Sequence, residues 1–255
     1  MNLTAAIPIL LLLAAAARAE LKTEELEYKD GDAVLRGYLA YDDALEGKRP
    51  GVLIVHEWWG HDDYVRRRAE QVAKLGYVAF ALDMYGKGVV AKTPQEAGPL
   101  AGKFRRDRKR SAAGLAALAA HPRVDARRIA AMGYCFGGAV ALELARSGAD
   151  VKAVVSFHGS LATDRPADAA TLKAKVLVCN GADDTFVSAE EIAAFEKEMR
   201  EAKADYQIVH YGGAVHSFTN PDADKRGMKG VAYNAAADRR SWELMRAFFL
   251  EVFGA

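Results

Sequence analysis

The amino-acid sequence predicts an α/β fold in which a mostly parallel central sheet carries helices on both faces. Apolar segments of strand length alternate with longer helical patterns along most of the chain, and this alternation is typical of parallel sheets. The strand segments are continuously apolar, as expected for strands that are buried on both faces. The chain has 255 residues, of which 51% are hydrophobic and 27% charged. Such a chain can form one large domain with a buried core.

Each element can be assigned in order along the chain. A hairpin is predicted over residues 26–28 and 34–40, and further strands are predicted at residues 52–55, 78–82, 129–132, 153–157, 176–179 and 207–211. Helices are predicted near residues 62–75, 94–120, 137–147, 188–202 and 234–252. In a sheet of this kind, functional residues lie at the carboxyl ends of the strands. We therefore expect the chemistry in the segments that directly follow the strands.

The first 19 residues have the pattern of a signal peptide. An apolar run over residues 7–17 is followed by the small-x-small triplet Ala17-Arg18-Ala19, the type of sequence that signal peptidase cuts. The run is shorter than the roughly 20 apolar residues that span a bilayer. No Lys or Arg precedes it, so the positively charged region typical of a signal peptide is limited to the α-amino group. We expect an exported protein, periplasmic or secreted, with a leader over 1–19 and one α/β domain without a membrane span over 20–255. An uncleaved anchor and a wrongly assigned start codon are the alternatives.

Composition and charge exclude several classes of function. The formal net charge is +1, so the chain carries no bulk field for holding nucleic acid. The basic run over residues 103–110 contains an acidic residue and is typical of a solvated helix face. The histidines show no ligand spacing typical of a metal site. We predict a small-molecule substrate, no metal, no cofactor and no nucleic-acid partner, and the oligomeric state stays open.

One segment has the pattern of a nucleophile turn. Gly133-Tyr134-Cys135-Phe136-Gly137-Gly138 directly follows a predicted strand and precedes a predicted helix. It matches the G-x-nucleophile-x-G turn, with cysteine in the place of the nucleophile. Glycines avoid clashes with the adjoining strand and helix, and the helix N-terminus favours a thiolate. Cys135 is therefore the candidate nucleophile, and a structural cysteine in a tight turn is the alternative. The second cysteine, Cys179, is expected to be a buried free thiol.

Two later segments supply an acid and a base in the order that this architecture uses. Asp183 and Asp184 follow one predicted strand, and His216 follows the last predicted strand. His216 would take the thiol proton, and an aspartate would hold its tautomer and stabilise the imidazolium. The pattern alone leaves Asp183 and Asp184 as alternatives. His158 also follows a strand. We expect a packing or loop role there, and a position near the site is the alternative.

The loop after the strand at residues 52–55 is the candidate oxyanion loop. In this architecture that loop donates one N–H to the oxyanion, and the residue after the nucleophile donates the other. These positions correspond to the backbone of Trp58 and of Phe136. The side chains expected to wall the substrate pocket are those of Trp59, Tyr85, Ser217 and Phe218.

Together these segments resemble the dienelactone hydrolase (carboxymethylenebutenolidase) family. The resemblance rests on His56-Glu57-Trp58-Trp59-Gly60, the turn around Cys135, Asp184-Thr185-Phe186-Val187 and His216-Ser217-Phe218, in that order. By element order it extends from about residue 26 to residue 253. It implies an α/β-hydrolase fold and a Cys-Asp-His triad that opens a lactone through an acyl-enzyme thioester. The family's acid precedes an x-Phe-Val sequence, which corresponds to Asp184.

The resemblance also implies a role for Glu57, and it contains one departure. The family's glutamate at this position interacts with the resting thiol and takes its proton when substrate binds. The alternative for Glu57 is a structural ion pair with Arg68 or another cation. Family members that act on dienelactone grip its carboxylate with arginines, one of them a few residues beyond the catalytic histidine. Asn220 occupies that position here, so the substrate differs or another cation, Lys87 or Arg105, replaces the arginine.

The sequence thus predicts a hydrolase of carboxylic esters or lactones with Cys135, His216, Asp184 and Glu57 as its catalytic residues. One alternative is a non-catalytic member of the same fold that binds a small molecule or a partner. Another is a thioesterase or acyl transferase that uses the same residues.

Overall fold

The computed structural model describes residues 20–254, which form an eight-stranded sheet with six α-helices. The predicted leader, residues 1–19, lies outside the described residues. The strands are β1 (Leu21–Asp30), β2 (Ala33–Asp42), β3 (Arg49–Val55), β4 (Val78–Leu82), β5 (Val124–Tyr134), β6 (Ala153–Phe157), β7 (Lys175–Gly181) and β8 (Tyr206–Tyr211). The helices are α1 (Asp63–Ala73), α2 (Pro94–Phe104), α3 (Arg108–Ala119), α4 (Phe136–Arg146), α5 (Ala189–Glu201) and α6 (Ala235–Phe253). Over the described range, no helix is long and apolar enough to cross a membrane.

The sheet is mostly parallel, as predicted. Its strand order is β1-β2-β4-β3-β5-β6-β7-β8. The hairpin β1–β2 is antiparallel and pairs antiparallel to β4, whereas every pair from β4 to β8 is parallel. The carboxyl ends of β3, β5, β6, β7 and β8 consequently meet at one edge of the sheet. The segments with candidate functional residues all leave the sheet at this edge.

The two large apolar clusters of the core lie on opposite faces of the sheet. Successive side chains of a strand point to opposite faces, and β3 shows this directly. Ile54 packs in one cluster with Val65 of α1 and Phe249 of α6, whereas Leu53 packs in the other with Val140 of α4. Because both faces of the central strands are covered, their sequences are continuously apolar, which explains the pattern seen in the sequence.

The helix predicted over residues 94–120 is wrong, because the structure contains two helices there. α2 ends at Phe104 and α3 begins at Arg108. Asp107 is the N-cap of α3, and its side chain accepts a hydrogen bond from the backbone N–H of Arg110 at 3.0 Å. An aspartate that caps a new helix favours a break over a continuous helix. The break leaves Arg105 at the end of α2, on the edge of the sheet where the strands terminate.

Candidate active site

Cys135 lies in a strained turn between β5 and α4. It is the N-cap of α4, with φ 54° and ψ −116°, a conformation that costs a residue other than glycine about 1–3 kcal/mol. The neighbouring glycines allow the close approach that this turn requires. A Cβ on Gly133 would lie 2.0 Å from the Gly137 carbonyl oxygen, and a Cβ on Gly137 would lie 2.3 Å from the Val55 carbonyl oxygen. The turn therefore presses α4 against the ends of β5 and β3 and leaves the thiol half-exposed.

His216 and Asp184 form a hydrogen-bonded pair beside this turn. His216 Nδ1 lies 2.8 Å from Asp184 Oδ2, and Asp184 Oδ1 accepts the backbone N–H of Phe186 at 2.8 Å. Asp184 is buried, whereas the adjacent Asp183 is exposed. The carboxylate that reaches the imidazole is therefore that of Asp184. Its second hydrogen bond fixes the carboxylate plane and hence the orientation of His216.

The electrostatic environment of His216 favours the imidazolium form. Burial alone would lower the pKa of His216, but the neighbouring Cys135 and the hydrogen bond to Asp184 outweigh burial. Together they raise the pKa of His216 to about 10. An imidazolium beside a cysteine stabilises the thiolate, which is the nucleophilic form of the side chain. The arrangement can therefore hold a proton on His216 next to the sulfur of Cys135.

Glu57 is a buried carboxyl held by the loop that carries His216. It is 1% exposed, and its two oxygens accept hydrogen bonds from Ser217 Oγ at 3.0 Å and Asn220 Nδ2 at 2.7 Å. Burial raises its pKa, since both donors are neutral groups. The alternative pairing with Arg68 is not formed, because the Arg68 guanidinium lies 2.5 Å from Asp238. Asn220 thus holds Glu57 instead of facing a substrate.

Cys135 and His216 open onto a pocket of about 440 Å³, within the range of about 300–1,000 Å³ for small-molecule sites. Trp58, Trp59 and Ser217 also line it. The predicted wall positions of Tyr85 and Phe218 differ from the structure, which buries both behind the wall. Tyr85 donates its hydroxyl to the Trp58 carbonyl at 2.9 Å, whereas Phe218 packs edge-on against His158. Both residues lie in the predicted loops, but their side chains point into the protein interior and not into the pocket.

The candidate oxyanion donors lie at the same wall. Phe136 is the first residue of α4, and the first N–H groups of a helix have no partner within the helix. Its N–H therefore points from the positive end of the helix dipole beside Cys135. Trp58 lies in the loop after β3 and lines the pocket as well. An N–H from each position would meet negative charge that develops next to the thiol.

Two charged residues of the wall lie far from every motif. Arg105, at the end of α2, is one of the two cations named from the sequence, whereas Glu191, in the first turn of α5, was not predicted from the sequence. The Glu191 carboxylate accepts the backbone N–H of Ala162 at 3.0 Å and the Ser160 hydroxyl at 2.8 Å, which fixes the loop after β6. Arg105 has no ion-pair partner in the part of the chain that the structure describes. Lys87, the other candidate cation, pairs with Glu27 at the surface, away from the pocket.

A strap formed by residues 228–233 closes one side of the pocket. The backbone N–H of His216 donates to the Gly230 carbonyl at 3.2 Å, and Ala232 donates to the His216 carbonyl at 3.2 Å. These bonds bring Met228 and Val231 onto the wall. The base is therefore held from two sides, by Asp184 at its ring and by the strap at its backbone. The strap also gives this side of the pocket an apolar surface.

The second cysteine, Cys179, lies in a different environment from Cys135. Cys179 is fully buried, and burial raises the pKa of its thiol to about 12. Both cysteines are free thiols. Within residues 20–254, no group of three His, Cys, Asp or Glu side chains is arranged to hold a metal ion.

Comparisons with known proteins identify the family of this chain. The sequence profile of the dienelactone hydrolase family matches residues 35–253. The structure named m3DLH is 43% identical, with a TM-score of 0.88 over 91% of this chain and 98% of its own. The dienelactone hydrolase-like promiscuous phosphotriesterase P91 from metagenomic libraries is 40% identical, with a TM-score of 0.88 over 92% of this chain and 99% of its own. An uncharacterized protein of Caenorhabditis elegans is 37% identical over 146 residues, which are 55% of this chain and 90% of that protein.

Proposed function

Because this chain belongs to the dienelactone hydrolase family, we propose that it hydrolyses a carboxylic ester or lactone with Cys135 as nucleophile. One observation carries this proposal: the 2.8 Å hydrogen bond between His216 and Asp184 beside the strained Cys135 turn. His216 is the base, and Asp184 orients it. The combination of activated nucleophile, oriented base and adjoining pocket is what acyl transfer requires.

Acylation begins when the Cys135 thiolate attacks the substrate carbonyl carbon. The N–H groups of Phe136 and Trp58 stabilise the oxyanion of the tetrahedral intermediate, an interaction worth about 2.7–4 kcal/mol per donor in related sites. The intermediate collapses as the C–O bond to the leaving alcohol breaks, and the His216 imidazolium protonates that oxygen. With a lactone, the released hydroxyl remains attached to the acyl group.

Deacylation uses the same residues with water as the nucleophile. Neutral His216 takes a proton from water, which attacks the thioester carbonyl at the same oxyanion site. The C–S bond then breaks, the acid leaves, and Cys135 returns as a thiolate beside the imidazolium. Asp184 stabilises the imidazolium in both halves of the reaction and keeps Nε2 of His216 directed towards the reacting groups.

Glu57 is the proposed relay for the thiol proton of Cys135, which passes through it to His216 as the thiolate–imidazolium pair forms. Its environment supports this role, because a buried carboxyl with neutral donors and a raised pKa holds a proton more readily than an exposed one. Asn220 supplies one of those neutral donors. An arginine at the same position would favour the charged carboxylate instead, so this chain changes the proton balance at Glu57 relative to family members with the arginine.

The pocket supports a mainly apolar substrate with at most one anionic group. Trp58, Trp59, Met228 and Val231 supply apolar surface. Arg105 is the exposed cation on the wall, and we assign it to a substrate carboxylate if one is present. A dienelactone carries this carboxylate and a neutral aryl ester does not. The ratio of their turnover rates, compared between wild type and Arg105→Ala, therefore measures the contribution of Arg105.

A second activity, hydrolysis of phosphotriesters, is favoured by the 40% identity to the phosphotriesterase P91 over 92% of this chain. In that reaction an S–P bond forms at Cys135 as the P–O bond to the aryl group breaks, and water then cleaves the S–P bond. The test is p-nitrophenolate release from diethyl p-nitrophenyl phosphate. Release that persists in Cys135→Ala would exclude this route.

The test of the main proposal compares wild type, Cys135→Ala and Cys179→Ala on a dienelactone and on p-nitrophenyl acetate. Wild type and Cys179→Ala are expected to turn over at least one substrate, and Cys135→Ala neither. Iodoacetamide is expected to alkylate Cys135 and to spare Cys179, whose thiol is buried. Equal turnover by Cys135→Ala contradicts the cysteine mechanism. An inert wild type whose Cys135 resists alkylation would leave ligand binding as the function.

We also propose that residues 1–19 are a signal peptide that is removed after Ala19. The support is the sequence pattern alone. Mature protein recovered from a periplasmic or culture fraction is expected to begin at Glu20 on N-terminal sequencing. A mature chain that begins at Met1 would contradict cleavage.

A further inference from the structure

His158 connects the nucleophile turn to the loop of the base, although it belongs to neither. It follows β6, is fully buried, and has φ 41°. Its Nδ1 lies 3.1 Å from the backbone nitrogen of Cys135, and its Nε2 lies 2.7 Å from Thr219 Oγ1. Thr219 is three residues beyond His216. One ring therefore spans from the nucleophile's backbone to the base's loop.

Hydrogen-bond chemistry decides where the proton of this ring lies. A backbone N–H can only donate, so His158 Nδ1 must accept from Cys135 with its lone pair. The ring proton is then on Nε2, and that N–H donates to the hydroxyl of Thr219. A doubly protonated ring would direct Nδ1–H against the Cys135 N–H. Burial and the nearby charges of His216 and Arg68 hold the pKa of His158 well below its usual value, in agreement with a neutral ring.

The bond to Nδ1 acts on the strained residue itself. Cys135 has φ 54°, and its N–H is shared between His158 Nδ1 and the Phe157 carbonyl, 3.0 Å away. Strained backbone persists only where the surroundings over-determine it. These two acceptors, both at the end of β6, fix the direction of the Cys135 N–H.

The other end of the ring is anchored to two helices. Thr219 Oγ1 lies 2.7 Å from Tyr64 Oη, and Arg68 donates to the same tyrosine oxygen at 3.2 Å. Arg68 also donates to the Thr219 carbonyl at 2.6 Å and to Asp238 of α6 at 2.5 Å. The loop that carries the base is thus tied to α1 and α6, the covering helices on one face of the sheet.

We propose that His158 is a positioning residue that sets the placement of Cys135 relative to His216. Its neutral Nδ1 holds the nucleophile turn, its Nε2–H holds the base loop through Thr219, and its ring packs edge-on against the His216 ring at 5.3 Å between centroids. His158 itself does not line the pocket, and its ring meets the catalytic side chains only through the ring of His216. This inference rests on the proposed hydrolase function, and its test separates the two.

Three variants separate the contributions of the two ends of the His158 ring: His158→Asn, His158→Phe and Thr219→Val. Asparagine tolerates positive φ and can offer an amide oxygen near the place of Nδ1. Phenylalanine keeps the ring volume but no acceptor, and valine removes the Thr219 hydroxyl. Exposed His210, on β8, supplies the control His210→Phe.

His158→Phe is expected to lower kcat for p-nitrophenyl acetate by about 100-fold, the effect of a misplacement of about 1 Å, with KM little changed. His158→Asn restores most of that loss, Thr219→Val gives a smaller loss, and His210→Phe equals wild type. The rate of Cys135 alkylation by iodoacetamide follows the same order. Equal kcat and equal alkylation rates in His158→Phe and wild type would overturn the inference.

A spectroscopic measurement covers the case in which His158→Phe fails to fold. Nitrogen-15 NMR of histidine-labelled wild type is expected to show that the histidine resonances lost in His158→Asn belong to a neutral Nε2–H tautomer between pH 5 and 9. An Nδ1–H tautomer, or a ring that gains a proton near its usual pKa, would overturn the inference. If wild type hydrolyses no ester but Cys135 alkylation still depends on His158, the hydrolase proposal fails while the positioning role stands.

Discussion

The substitution Asp184→Asn removes the charge of the His216–Asp184 pair while keeping its shape. The asparagine oxygen can still accept the Phe186 N–H, the bond that Asp184 Oδ1 makes at 2.8 Å. Its NH₂ group then faces His216 Nδ1, where Asp184 Oδ2 now lies at 2.8 Å. His216 must present a lone pair there, so its proton moves to Nε2. In that tautomer the ring cannot take the Cys135 proton.

The expected cost follows from this tautomer change. The corresponding substitution in serine triads lowers kcat by about 10⁴-fold, which equals about 5.4 kcal/mol at about 1.36 kcal/mol per tenfold. The pKa of His216 also falls from about 10, because the acceptor carboxylate is gone. In wild type, leaving-group protonation is lost only as the pH rises through that value. In Asp184→Asn the alkaline limit of the residual activity is expected at lower pH.

The assay is kcat against pH with p-nitrophenyl acetate, together with the rate of Cys135 alkylation near neutral pH. Asp183→Asn is the matched control, since Asp183 is the exposed neighbouring carboxylate. It is expected to match wild type in both measurements. Comparable losses in Asp183→Asn and Asp184→Asn, or no loss in Asp184→Asn, would refute the assignment of His216 and Asp184 as base and acid.

Three further predictions test the surrounding residues. Glu57→Gln is expected to slow acylation and to raise the melting temperature at pH 8 but not at pH 4. The pKa of Glu57 is raised in the folded state, so the folded protein loses stability as the pH rises through that pKa and the carboxyl ionises. An equal shift of the melting temperature at both pH values would contradict a buried charge. Arg105→Ala is expected to raise KM for an anionic dienelactone about tenfold without changing KM for a neutral ester. The control Arg106→Ala, at the neighbouring surface position, is expected to change neither KM. Equal effects of Arg105→Ala on both substrates would argue against a carboxylate contact. Gly137→Ala is expected to destabilise the fold by about 1–3 kcal/mol or more in urea unfolding, since its Cβ would lie 2.3 Å from a β3 carbonyl. Gly102→Ala, whose Cβ would meet nothing within 4 Å, is expected to be neutral or to stabilise α2 by about 0.5–1 kcal/mol, and a similar loss in both would refute the clash.

Local sequence patterns were enough to predict the fold and the positions of the functional loops. Continuous apolar runs marked the parallel strands, and the glycines around Cys135 marked the turn where α4 meets β5. Both signals are short-range, because burial on two faces and backbone contact each restrict the residues at the position itself. The family resemblance rested on the same segments, and the comparisons confirm it. The helix predicted over 94–120 failed because the capping preference of Asp107 outweighed helical periodicity.

Only the tertiary structure decided which way each side chain points from those loops. Asp183 and Asp184 are neighbours with the same chemistry, and only the structure shows that Asp184 reaches His216. The same holds for Tyr85, which the structure buries behind the pocket, and for Arg105, which the break between α2 and α3 brings onto its wall. The pocket collects side chains from loops far apart in sequence, and packing and hydrogen bonds among those loops set each direction. The sequence by itself therefore determined the fold class and the candidate chemical groups, whereas the geometry of those groups depends on contacts that exist only in the folded chain.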